Sequence, residues 1–279
     1  MMQFSKLIKS MVQAALLEDM GEGSSGDITA ELINKDKLVK ARVITREPGV
    51  ICGVEFVKEV FAQLDPSLIL EFDVIDGDRV SKNQVIFKIT GNARNILTGE
   101  RTALNFLQSL SGTATQTALY VSALSGTKTQ LLDTRKTLPL YRQAQKYAVR
   151  CGGGRNHRMG LFDAFLIKEN HIMAKGSITE AVKEARNLHP TKSIEVEVER
   201  LDQLEEAILA GAHMVMLDNF SLSQIKVAVS QNRGRVKLEV SGGISLENIK
   251  AIAETGVDYV SCGAITKHIH ALDLSMRLI

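Results

Sequence analysis

Apolar residues recur at Phe4, Leu7, Ile8, Met11 and Ala15, close to the helical period, and this spacing predicts an amphipathic helix over residues 5–17. Residues 21–29, GEGSSGDIT, are rich in turn formers and break the pattern. Alternation then takes over. Residues 41–46 read as a strand, Pro48-Gly49 as a turn, and residues 50–52 as a strand pairing back on the first. A helix is expected over 54–63, followed by strands at 68–75 and 84–89 around the turn Asp76-Gly77-Asp78. The first hundred residues therefore predict a small α+β domain.

A long helical stretch from residue 98 to about 122 follows, and beyond it strand-like segments recur with helices between them: 130–133, 164–168, 194–199, 214–218, 237–240 and 259–262. Ser177 with Glu180 and Ser221 with Gln224 mark helix starts, and Gly211 and Gly256 mark helix ends. Repeated βα units predict a parallel sheet. Residues 194–199 read Ile-Glu-Val-Glu-Val-Glu, which sets Glu195, Glu197 and Glu199 on one face of a strand. A strand of an open sheet, covered by helices on both sides, should be continuously apolar, whereas a barrel lumen accepts acids that cations meet. No strand is followed by a dinucleotide-binding or P-loop fingerprint, since residues 152–157, GGGRNH, lack the final glycine. The pattern thus predicts a βα barrel.

Charge sharpens the picture. The chain carries 34 Lys and Arg against 32 Asp and Glu, yet residues 133–158 hold seven of the cations (Arg135, Lys136, Arg142, Lys146, Arg150, Arg155, Arg158) and one acid, Asp133. Forked guanidiniums on either side of three glycines suit a small, multiply anionic ligand. Arg142, Lys146 and Arg150, at helical spacing, read as a solvated helix face. A nearly neutral balance and 5% aromatic content argue against nucleic-acid binding. No apolar run is long enough for a bilayer, and the N-terminus lacks an uninterrupted signal-type core. Cys52, Cys151 and Cys262 are far apart and show no zinc spacing, so neither a disulfide nor a structural zinc is expected and a cytoplasmic location is.

Catalytic residues of a βα barrel stand at the C-terminal strand ends. Those ends offer Arg135 and Lys136, Lys168, Glu197 and Glu199, Asp218, residues 241–243 and Gly263. Ser241-Gly242-Gly243 and Gly263-Ala264 read as phosphate-binding loops. Glu197 and Asp218, on successive strands, suit Mg²⁺ shared with substrate phosphates, or ion pairs with Lys168 and Lys136; the two are not exclusive. Lys168 at a strand end also admits a Schiff-base aldolase.

The segments 99–115 (GERTALNFLQSLSGTAT), 132–172 (with TRKT and GGGRNHR), 195–199 (EVEVE), 217–220 (LDNF) and 238–244 (LEVSGGI) resemble the quinolinate phosphoribosyltransferase family. The likeness runs from residues 18–29 to the C-terminus. Related molybdenum-transport proteins share much of the signature, and Lys267-His268 departs from the more usual His-Ser. The resemblance implies an N-terminal α/β sandwich, set at residues 1–110, and an incomplete TIM-like barrel of the type II phosphoribosyltransferase kind at 111–279, with the extreme C-terminus able to return to the first domain. It implies a homodimer in which Arg101 reaches the neighbouring site. It also implies transfer of phosphoribosyl from phosphoribosyl pyrophosphate to quinolinate with loss of CO₂, using Mg²⁺ and no organic cofactor. By the same resemblance Lys136, Glu197 and Asp218 are catalytic, and Arg101, Thr134, Arg135, His157, Arg158, Lys168, Ser241, Gly242, Gly243, Gly263 and Ala264 bind substrates.

Overall fold

The computed structural model describes residues 2–21 and 26–279, so part of the turn-rich passage, residues 22–25, lies outside the described residues. In chain order the elements are α1 (Met2–Met20), β1 (Leu38–Thr45), β2 (Gly49–Val50), α2 (Val54–Leu64), β3 (Ile69–Phe72), β4 (Arg79–Val80), β5 (Val85–Asn92) and α3 (Ala93–Ala123). There follow β6 (Gln130–Leu132), α4 (Arg142–Cys151), β7 (Ala164–Ile167), α5 (Glu169–Lys175), α6 (Ile178–Leu188), β8 (Ser193–Val198), α7 (Leu201–Leu209) and β9 (Met214–Asp218). The chain closes with α8 (Leu222–Asn232), β10 (Lys237–Ser241), α9 (Ile249–Ala253), β11 (Tyr259–Ser261), α10 (Ala264–Lys267) and β12 (Leu274–Leu278). These elements form two compact units, one of residues 1–116, 143–152 and 269–279, the other of residues 117–142 and 153–268.

The first unit is built on an antiparallel sheet in the order β12-β1-β5-β3. Ala41, Val43 and Thr45 alternate inward along β1 and are fully buried, as period-two patterning requires. α1 turns Ile8, Val12 and Leu16 inward, four residues apart on one face. The expected pairing of residues 50–52 with 41–46 does not occur: Gly49–Val50 pairs with Arg79–Val80 instead. Both edges of β1 are already taken, by β12 and by β5, so no ladder is open to it there.

The second unit is a parallel sheet in the order β6-β11-β10-β9-β8-β7. β6 and β7 do not pair with each other, so the barrel is incomplete. Residues 155–158 span the opening. Leu132 and Arg155 form an isolated parallel bridge, Arg155 N donates to Leu131 O at 2.8 Å, and Arg158 Nη1 donates to Ala164 O on β7 at 3.2 Å. The helix starts fall where the caps predict: Ser221 and Gln224 form a reciprocal capping box, and Ser177 Oγ accepts from Glu180 N.

The solvated reading of α4 is corrected. Lys146 is completely buried, along with Ala144, Gln145, Ala148 and Val149. Arg142 is tied down too, its guanidinium donating to Thr137 Oγ1, Met159 O and Arg135 O. Arg150 alone of the three is exposed, lying 5.5 Å from the Tyr147 ring. Half of the helix's ten residues are buried, and the helical spacing of its cations carried no sign of that.

Candidate active site

Parallel strands point alternate side chains into the lumen, so the register of the sheet decides which polar residues meet. Glu195 and Glu197 on β8 lie beside Met214 and Met216 of β9, Glu239 of β10 lies beside Met216, and Ser241 lies beside Asp218. Glu199 falls beyond the end of β8 and is exposed, so two of the three glutamates of that face enter the lumen.

Asp133, fully buried just past β6, anchors the glycine-rich passage: its Oδ1 accepts His157 N at 2.9 Å and its Oδ2 accepts Asn156 Nδ2 at 2.5 Å. His157 Nδ1 accepts from Arg158 N at 2.8 Å, so the neutral ring carries its proton on Nε2 and donates to Glu195 Oε2 at 2.7 Å. Glu239 Oε2 stands 3.5 Å from the same nitrogen. Burial is the largest cause pushing both carboxyls up to about 8, reinforced at Glu239 by the charge of Glu195. Both oxygens of Glu239 and Oε1 of Glu195 are buried without a hydrogen-bond partner, which a protonated carboxyl tolerates better than a carboxylate. Glu195 and Glu239 are residues that sequence reasoning missed as part of the site. A same-face alternation Lys237, Glu239, Ser241, matching that of Glu195 and Glu197, was the available signal.

Above this floor opens a hollow of about 180 Å³, whose walls include Arg135, Lys136, Arg158, Lys168 and Glu197. Burial lowers the Arg158 pKa and the like charge of Arg135 lowers it further, so two guanidiniums face the same space and favour an anion between them. Lys168 precedes α5, its amide donates to His171 Nδ1, and its Nζ donates to Glu197 Oε2 at 2.5 Å. That is an ion-paired donor, unlike the uncharged amine a Schiff-base nucleophile requires. On the next strand Asp218 accepts from Asn219 Nδ2 at 2.9 Å, and burial raises its carboxyl against the opposing pull of Lys168 and Lys136.

A second hollow, of about 330 Å³, is bordered by residues 241–244, residues 262–264, Thr134 and Lys136. Gly242 and Gly243 have φ of +95° and +58°, and a Cβ on Gly242 would come within 2.2 Å of Asn219 Oδ1. Thr134 Oγ1 accepts from Lys136 N, Thr266 Oγ1 donates to Lys136 O, and the Lys136 stem lies 2.8 Å from where a Gly263 Cβ would sit. Among the described residues the amide N–H groups of Gly242, Gly243, Gly263 and Ala264 donate to no protein acceptor. The structure therefore gathers Thr134, Arg135, Lys136, His157, Arg158, Lys168, Glu197, Asp218 and both glycine loops in one unit. Arg101 belongs to the other unit, exposed on α3 beside a recess bordered by Asp19 and Asp27.

Comparison with known proteins agrees over nearly the whole chain. The C-terminal domain of quinolinate phosphoribosyl transferase matches residues 113–277, and its N-terminal domain matches residues 27–111. The chain belongs to the quinolinate phosphoribosyl transferase family. Family relatives include the probable nicotinate-nucleotide pyrophosphorylase (carboxylating) of Bacillus subtilis, 41% identical over 96% of this chain and 92% of its own. Another is the nicotinate-nucleotide pyrophosphorylase (carboxylating) of Mycobacterium leprae, 42% identical over 97% of this chain and 96% of its own. The solved structure of the nicotinate-nucleotide pyrophosphorylase from Francisella tularensis superposes with a TM-score of 0.94 at 53% identity, over 99% of this chain and 97% of that one. The family fold thus carries the two-layered α/β and incomplete-barrel reading made from the sequence.

Proposed function

We propose that the chain transfers phosphoribosyl from phosphoribosyl pyrophosphate to quinolinate, releasing pyrophosphate and CO₂ and forming nicotinate mononucleotide, a step of NAD biosynthesis. The observation that carries this reading is the placement of two guanidiniums, Arg135 and Arg158, at one hollow, with amides that lack acceptors at the adjoining one. The first arrangement suits a planar dicarboxylate and the second a phosphate monoester. Lys136, bordering both hollows, is positioned to neutralise pyrophosphate as it leaves.

Glu197 and Asp218 supply hard oxygen donors from neighbouring strand ends, a donor set that fits Mg²⁺ completed by substrate phosphates. Bound there, the ion would neutralise charge on the departing pyrophosphate. The two carboxylates also oppose the positive charge that grows at the ribose anomeric carbon as the bond to pyrophosphate breaks. Attack by the pyridine nitrogen makes that nitrogen cationic; the ring then accepts the electron pair of the neighbouring C–CO₂⁻ bond, CO₂ leaves, and a proton takes its place on carbon. His157 has both nitrogens engaged inside the protein and serves as a wall held in place by Asp133 and Glu195.

The enzyme works in this reading as a cytoplasmic homodimer, with Arg101 completing the neighbouring site. No helix of the described residues is long and apolar enough to cross a membrane. The deciding assay mixes the protein with Mg²⁺, quinolinate and phosphoribosyl pyrophosphate and measures CO₂ and nicotinate mononucleotide. Equal amounts of both support the proposal, and binding of both substrates without either product refutes it.

A further inference from the structure

The first unit gathers two of the three cysteines that are remote in sequence. Cys52 follows β2 and is fully buried, and Cys151 ends α4 and is half-buried. A carboxylate oxygen of Asp76, from the turn between β3 and β4, joins them, and the three ligand atoms all lie within 4.8 Å of one another. We propose that Cys52, Cys151 and Asp76 bind a borderline-soft divalent cation of the zinc type, a site separate from the reaction chemistry.

Three features carry the assignment. Sulfurs around a tetrahedral zinc stand about 3.8 Å apart, as Zn–S bonds of about 2.3 Å require, so little movement would bring these ligands onto one ion. The carboxylate is already oriented, with Oδ1 accepting Gly53 N at 2.8 Å and Val54 N at 3.0 Å and Oδ2 accepting Tyr147 Oη at 2.8 Å. Support of this kind from surrounding donors is what fixes metal-ligating carboxylates. The backbone of Cys52 is pinned in turn, its N–H donating to Ser111 Oγ and its carbonyl accepting from the same hydroxyl.

The electrostatics separate a cation from a disulfide. The carboxylate of Asp76 sets a negative charge beside both sulfurs, which a disulfide would leave uncompensated. A divalent cation compensates that charge and gives the carboxylate a role. Binding replaces two thiol protons by one ion and releases both protons to solvent. The fourth position falls to water or to the Tyr147 phenol.

Cobalt(II) is the probe, because thiolate ligation gives it a sulfur-to-metal charge-transfer band that oxygen ligands do not. The reduced full-length chain, stripped with a chelator, should develop that band with one equivalent of Co²⁺ and lose it on adding Zn²⁺. Cys151→Ser should abolish the band, Cys262→Ser should keep it, and Asp76→Asn should weaken Co²⁺ binding at least tenfold. On the unsubstituted chain, Cd²⁺ should protect the half-buried Cys151 from alkylation, mapped by mass spectrometry; this holds even if a variant fails to fold. Absence of the band with no protection, a band that survives Cys151→Ser, or a Cys52–Cys151 disulfide in a chain that binds no Co²⁺ when reduced each overturns the site.

Discussion

At the residue scale, Arg135 and Arg158 show how cations are kept available for a ligand. Arg135 is exposed and Arg158 half-buried, with its Nη1 on Ala164 O, while Arg158 Nε is buried and has no partner. Arg135→Ala should therefore weaken quinolinate binding ten- to a hundredfold by calorimetry, on the scale of about 1.5–3 kcal/mol for hydrogen bonds between charged groups. Its melting temperature should hold, since an exposed substitution changes stability by about 0.5 kcal/mol or less. Glu239 makes a second residue-scale prediction. Its carboxyl is pushed up to about 8 in the folded chain against an ordinary 4.5, so the folded state keeps a proton that the unfolded state has lost between those values. Its contribution is fully present below about 4.5 and is lost as pH rises through about 8. Glu239→Gln, which cannot ionise, should flatten the fall in melting temperature with pH across that window; an unchanged slope would assign the slope to other groups.

At the element scale, short connections carry the site and the strands hold them in register. The turn after β10 needs glycine at residue 242, where φ is +95° and a side chain would strike Asn219, the neighbour of Asp218. Gly242→Ala should cost about 1–3 kcal/mol of backbone strain. Its kinetic signature should be a KM for phosphoribosyl pyrophosphate raised at least tenfold, with quinolinate binding measured alone changed much less. Equal losses for both substrates would mean that the turn supports the barrel rather than the phosphate. The 155–158 segment works in a comparable way: stitched to β6 on one side and β7 on the other, it fills the barrel opening with His157 and Arg158 instead of a strand.

At the scale of the whole molecule, Arg101 lies in a different unit from the other candidate residues. If the site is shared across a two-fold dimer, Arg101→Ala and Lys136→Ala should each be inactive. Mixing them with subunit exchange should restore about a quarter of wild-type activity, because about half the dimers are mixed and each has one intact site. Native mass spectrometry can verify the exchange. Confirmed heterodimers without activity would place Arg101 in the site of its own subunit.

Local order was legible in the chain. Periodicity located α2 and the six barrel strands to within a residue or so and found α1 three residues short at each end, because helix and strand faces repeat over a few positions, and strand ends named most of the polar residues that the second unit gathers. The capping serines were equally readable, since a cap is settled within four residues. What required the tertiary structure were pairings between distant segments. Lys146 lies buried in a helix whose sequence looks solvated, Gly49–Val50 finds β4 because β1 has no open edge, and the C-terminal strand β12 returns to the first sheet. Glu239 joins Glu195 and His157, and Cys52 meets Cys151, only once the chain has folded. Spacing along a chain reports on neighbours within a turn or a pleat; which faces become covered, and which charges then lose water and keep a proton, is decided by long-range packing.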